Sequence, residues 1–86
     1  MGFTLKDSEG NQNGEKGPKV LNVEPGSYAE SKGLLIGDRI LSVNGELTGN
    51  QQEFKDILSK INKGGSIFLL IFRDKKKIHL GLVREN

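Results

Sequence analysis

The side chains able to do covalent or acid–base chemistry are few in this chain and poorly spaced for it. His79 is the single histidine and cysteine is absent, which removes thiolate metal sites, disulfides and cysteine nucleophiles together. His79 alternates out of phase with Ile78 and Leu80, so it is expected on the solvent side of a strand. A lone histidine without a second one or clustered carboxylates is a poor metal ligand, and as a general base it needs a positioned nucleophile. Ser27, Ser31, Ser42, Ser59 and Ser66 read more simply as helix caps, polar strand positions and turn residues. Asp38, after Gly37, reads as a turn residue whose carboxylate binds nearby backbone amides. Glu53 and Asp56 fall on the polar face of a helix. Gly2, Gly33, Gly37 and Gly45 are separated by whole elements, so no phosphate-cradling GxGxxG or GxxxxGK[ST] string forms. Arg73, Lys75, Lys76, Lys77 and Arg84 are interrupted by Asp74 and Glu85 and lack the aromatic residues on which bases stack. They read as a solvated hairpin turn whose lysines blunt an edge strand. The chain is expected to bind rather than to catalyse, with no cofactor, no metal and no nucleic acid.

The elements that would position a binding site are easier to read. Gly33–Gly45 (GLLIGDRILSVNG) holds a Gly37-Asp38 turn, a strand, and Asn44-Gly45, a strong tight-turn signal because both residues tolerate positive φ. Before it, Val20–Val23 reads as a strand ended by Pro25-Gly26. Ser27 and Glu30 make a capping-box pattern for a short helix, Tyr28–Lys32, stopped by Gly33. Phe3-Thr4-Leu5-Lys6 alternates as a half-buried strand. Residues 7–19, rich in Gly, Asn, Glu and Lys, read as a mobile, solvated loop. Asn50–Ile61 is the clearest helix: Asn50 caps it and Phe54, Ile57, Leu58 and Ile61 form one stripe. Ser66–Phe72, apolar almost throughout, reads as a strand buried on both faces. Arg73–Lys76 turns the chain into an alternating strand, Lys77–Val83, and Glu46–Gly49 reads as a connector.

About five mostly antiparallel strands and two helices make an α+β domain. Its 86 residues are enough for one modest core, burying about 60–65% of the unfolded surface. A net charge of +2 is ordinary for such a domain. No apolar run approaches the roughly 18 residues of a membrane span, and the opening residues Met1-Gly2-Phe3 are not expected to be a basic-apolar leader. Lys6 stands where a myristoylation pattern wants Ser or Thr. The abrupt start in strand sequence leads to the expectation of a domain cut from a longer protein.

Val20–Gly45 (VLNVEPGSYAESKGLLIGDRILSVNG) closely resembles the core signature of PDZ domains: strand, Pro-Gly-Ser turn, short helix ending Gly-Leu, Gly-Asp turn, and a strand ending Val-Asn-Gly. The helix Asn50–Ile61 and strand Ser66–Phe72 fall where that family has its groove helix and the following strand. The charged turn and final strand resemble the Deg/HtrA type, which follows a periplasmic trypsin-like protease domain; site-2-type membrane proteases carry similar domains. The resemblance implies a small, partly open PDZ-like β-barrel or sandwich over residues 1–86, non-catalytic by itself and monomeric. It would bind C-terminal or unfolded peptides with apolar ends by strand addition beside residues 3–6, against the 50–61 helix, as a regulatory or substrate-recognition domain in the periplasm or cell envelope. The alternative is a docking module of a secretion or envelope complex or of a site-2-type membrane protease, without membrane insertion of its own. The resemblance assigns the peptide carboxylate to Met1, Gly2 and Phe3, and the groove to Thr4, Leu5, Gln51, Lys55 and Leu58. Gln51 stands near where many animal PDZ domains place a histidine that selects Ser or Thr two residues from the peptide end, so that selectivity is not carried over.

Overall fold

Residues 2–10 and 14–85 are described by the structure, a computed structural model. Six strands and two helices follow in the order β1 (Phe3–Lys6), β2 (Lys19–Val23), α1 (Tyr28–Ser31), β3 (Arg39–Val43), β4 (Glu46–Leu47), α2 (Gln51–Ser59), β5 (Ser66–Arg73) and β6 (Lys76–Val83). They form an open sheet of order β1-β2-β3-β5-β6, with β4 paired to β3. All five pairings are antiparallel. The strand count is six rather than five, because Glu46–Leu47, expected as connector, folds back on Ser42–Val43. The turn that allows it is Asn44-Gly45, with φ of 50° and 83°. Asn44 also holds the next strand: its Oδ1 accepts from the Phe68 amide and its Nδ2 donates to the Ser66 carbonyl.

Apolar side chains of the sheet and helices meet in one cluster that includes Val20, Leu34, Ile40, Val43, Phe54 and Ile71. The strand β5 departs from expectation. It buries Ile67, Leu69 and Ile71, while Phe68 is 60% exposed. Although β5 lies between β3 and β6, a strand of a one-layer antiparallel sheet has only one face turned to the core, so the apolar composition overstated its burial.

Residues 7–19, expected as a solvated loop, end in packed chain: Gly17 and Pro18 are buried. The Pro18 carbonyl accepts from the Ile40 amide at 2.9 Å. A Cβ on Gly17 would lie 1.9 Å from the Ile40 carbonyl oxygen, so only glycine allows the backbones to approach this closely.

The Gly33–Asp38 region is closed by an ion pair that the sequence reading missed. Asp38 does bind the turn, its Oδ2 accepting from the Leu35 amide at 2.8 Å. It also receives Arg73, whose Nε donates to Oδ1 and Nη2 to Oδ2, both at 2.7 Å. Arg73 is therefore not part of a solvated basic turn. Hydrogen bonding to Asp38, reinforced by the charges of Asp38 and Asp74 and opposed by burial, raises the Arg73 pKa above its ordinary value.

Candidate functional site

The strand β1 is an edge. Among the described residues its one partner is β2, and its other side faces α2 across a cleft lined by Phe3, Thr4, Leu5, Gln51, Phe54, Lys55 and Leu58. The cleft encloses about 460 Å³. Both walls follow from local sequence. Alternation in β1 turns Phe3 and Leu5 toward the protein and Thr4 and Lys6 to solvent. On α2, Phe54 and Ile57 are buried beneath the helix while Leu58 is half-buried. Phe54 does both jobs, meeting Phe3 edge to face with ring centroids 6.1 Å apart.

Both ends of α2 are fixed by residues distant in sequence. At its start Asn50 Oδ1 accepts from the Glu53 amide at 2.8 Å, as its sequence position predicts. A second acceptor was not legible: Asp7 Oδ1 takes the Gln51 amide at 2.7 Å, tying the chain after β1 to the helix. Carboxylate here also meets the positive end of the helix dipole. At the other end the Arg84 guanidinium donates to the carbonyls of Leu58 and Ile61, a cation at the negative end. The helical hydrogen bonding is regular over Gln51–Ser59, shorter than the expected 50–61. The final amides, Lys60 and Ile61, bond three residues back, so the last turn tightens.

The backbone of β1 has a free side. The Gly2 carbonyl accepts from the Glu24 amide at 2.8 Å, so Gly2 directs its carbonyl toward β2. Successive residues of an antiparallel strand alternate in direction, which turns the backbone groups of Phe3 and Leu5 toward the open edge. Gly2 has φ of 91°, and a Cβ there would lie 2.2 Å from Ser27 Cβ. Only glycine fits that approach, which sets the entry of β1 against the N-cap of α1.

The structure therefore brings Phe3, Thr4, Leu5, Gln51, Lys55 and Leu58 around one cleft and puts Gly2 at the head of its edge strand. Met1, also expected at the carboxylate site, lies outside the described residues. Among the described residues no three His, Asp or Glu side chains come together to hold a metal ion, and no helix is long and apolar enough to cross a membrane.

An open antiparallel sheet with a helix facing its free edge strand defines a class of small domain, and comparison with known proteins identifies the class. The PDZ domain family matches residues 19–73, and the chain belongs to it. The chain is 36% identical to Protease RseP of Yersinia pestis over 72 residues, covering 79% of this chain and 16% of that protein. It is 30% identical to a probable periplasmic serine protease do/HhoA-like of Haemophilus influenzae over 79 residues, covering 92% and 16%. The chain thus spans about a sixth of either relative. Among solved structures it superposes on the HtrA3 PDZ domain bound to a phage-derived ligand with a TM-score of 0.77 at 18% identity, covering 96% of this chain and 81% of that one. It is a PDZ domain similar to stretches of both the RseP and the HhoA-like relatives.

Proposed function

We propose that this domain captures the C-terminal ends of peptides by adding them as a strand to β1. The observation that carries this reading is the free edge of β1, with Phe3 and Leu5 backbone groups turned outward, set against an apolar cleft walled by α2. Main-chain bonds to such an edge give sequence-tolerant affinity, and pockets for alternate side chains give selectivity. The terminal carboxylate accepts from the Gly2 and Phe3 amides, where glycine permits close approach. The last side chain enters between Phe3, Leu5 and Leu58, while Thr4, Gln51 and Lys55 form the rim. The ligand seen in the HtrA3 PDZ domain supports this reading.

The domain itself does no chemistry in this account. It serves as the substrate-recognition or regulatory part of an HtrA-like serine protease in the periplasm or cell envelope, as the Haemophilus relative suggests. The similarity to RseP favours a second reading, in which the parent is a site-2-type membrane protease. Flanking sequence with a Ser/His/Asp protease domain or with an HExxH helix decides between the two.

Calorimetric titration with an eight-residue peptide ending in free valine tests the binding reading. The expected affinity is micromolar, roughly −8 kcal/mol or weaker, with an amidated peptide at least about ten-fold weaker. Equal affinity for the two overturns carboxylate capture. Chemical-shift changes away from residues 2–6 and 51–58 overturn the groove in favour of docking by another face.

A further inference from the structure

Beside the groove, on the face of the sheet turned away from the core, cations line up across three strands, exposed at β1 and covered at β3. Lys6 on β1 is paired directly with Lys19 on β2, and Lys19 directly with Arg39 on β3. Directly opposed residues of an antiparallel sheet project from the same face, and like charges so placed are destabilising. Among the described residues no carboxylate forms an ion pair with any of the three. Arg39 is 3% exposed and its guanidinium donates to the neutral Gly17 carbonyl and Ser8 hydroxyl rather than to a carboxylate. Asp7 follows Lys6 in sequence, but its carboxylate is turned to the Gln51 amide on the helix side. Asp38, which shares a surface hollow with Lys19, is engaged by Arg73. The row ends at Lys6, on the edge where a ligand strand would pair.

We propose that the ligand strand continues this row with an acid, and that the domain selects peptides carrying Asp or Glu three residues before the last. The proposal rests on strand addition at β1. The position follows from register. With its carboxylate on the Gly2 and Phe3 amides, the terminal ligand residue lies opposite Phe3. Antiparallel pairing then sets the preceding residues opposite Thr4, Leu5 and Lys6 in turn. The terminal residue and the second before it face the cleft with Phe3 and Leu5. The third before the end projects outward with Lys6. On the ligand side Phe3 and Leu5 make the main-chain bonds, so Lys6 belongs to a non-hydrogen-bonded pair, where opposed side chains stand closest. An acid there meets Lys6 directly and Lys19 one strand further on, relieving a repulsion that the free domain carries.

Fluorescence polarisation with two eight-residue peptides tests this. Both end in free valine and differ only by glutamate or glutamine three residues before the last. The glutamate peptide is expected to bind about two- to five-fold tighter in low salt, and the advantage should shrink in 0.5 M salt, where the Debye length falls to about 4 Å from about 30 Å at 0.01 M. It should vanish in a Lys6→Gln/Lys19→Gln variant, whose exposed and half-exposed positions leave folding intact. Moving the glutamate one residue toward the end turns it to the cleft side, away from Lys6 and toward Lys55, so in a Lys55→Gln background the move should abolish the gain. Equal affinity of the glutamate and glutamine peptides overturns the charge selection while leaving strand addition standing. A preference that survives in the double variant overturns the assignment to Lys6 and Lys19. Failure of both peptides to bind overturns strand addition, and this inference with it.

Discussion

Replacing Arg73 by leucine leaves a buried carboxylate without its cation, and the size of the effect follows from the surroundings of Asp38. That side chain is 1% exposed and Arg73 23%. Two of the three donors to the carboxylate come from Arg73, the Leu35 amide being the other. Breaking a buried pair by removing one partner costs about 3–5 kcal/mol. Arg73 is partly exposed, so water reaches the vacated space and the lower value, about 3 kcal/mol, applies. The Gly33 carbonyl, which also accepts from Arg73, is exposed and exchanges its bond for water. A domain of this length has about 4–13 kcal/mol of total stability, so the variant should lose roughly 12–24 °C in Tm. Urea unfolding should show a lower midpoint at unchanged slope. Adding Asp38→Asn removes the orphaned charge, so the double variant should recover about 1–2 kcal/mol over Arg73→Leu alone. The pH dependence has a fixed sign. A cation whose pKa rises on folding stabilises fully below its unfolded value and loses that contribution only as pH climbs through the folded one. The raised Arg73 value therefore makes the arginine's contribution constant through neutral and mildly alkaline pH. Neither residue lines the β1–α2 cleft, so the folded fraction should keep its peptide affinity. A loss under about 1 kcal/mol, or weaker peptide binding at an unchanged unfolding midpoint, refutes the reasoning that this pair serves the scaffold and the cleft serves the ligand.

Gly17→Ala puts a Cβ 1.9 Å from the Ile40 carbonyl oxygen at φ of 149°; a loss of about 3 kcal/mol is expected, read as a fall in Tm. Asp7→Ala removes the acceptor of the Gln51 amide and should cost about 1 kcal/mol, with faster hydrogen exchange at that amide; unchanged exchange would show that the tether does not hold in solution. Leu58→Ala, at a half-buried position lining the cleft, should weaken binding of a valine-ended peptide about five- to ten-fold in titration while costing about 1–2 kcal/mol of stability.

What the sequence made legible is what its residues settle within a few positions of themselves. The Ser27 hydroxyl accepts from the Glu30 amide, the Asn50 carboxamide accepts from the Glu53 amide, and Asn44-Gly45 turns β3 into β4. Each device satisfies backbone groups that the element itself leaves open, so its residue types announce it. Even here detail escaped: Glu30 returns its bond to the Gly26 amide rather than to the N-cap residue, whose own amide donates to Glu24. What stayed hidden is what the fold assembles from separated residues. Asp38 with Arg73 and Asp7 with Gln51 lie 35 and 44 positions apart. An aspartate beside a turn is equally satisfied by local amides, so neither partner could be named from its own neighbourhood.

The cleft was legible only through the family resemblance, which supplied the pairing of β1 with α2 that periodicity alone does not give. The basic row needed one thing more, the register of β1 on β2. Thr4 faces Asn22, and then Leu5 faces Val20, so Leu21 is an extra residue on β2, left 52% exposed. Unbroken pairing from Thr4 would set Lys6 against Val20. The added residue shifts the rest of β2 by one position, which exchanges the faces of everything beyond it. Val20 thereby turns into the core, where it is buried, and Lys19 comes out opposite Lys6. A single bulge thus serves packing and edge charge together, and the burial of Val20 is the reason the bulge is held. The pairing of two lysines at the open edge of β1 follows from a requirement of the core rather than from any signal around Lys6 itself.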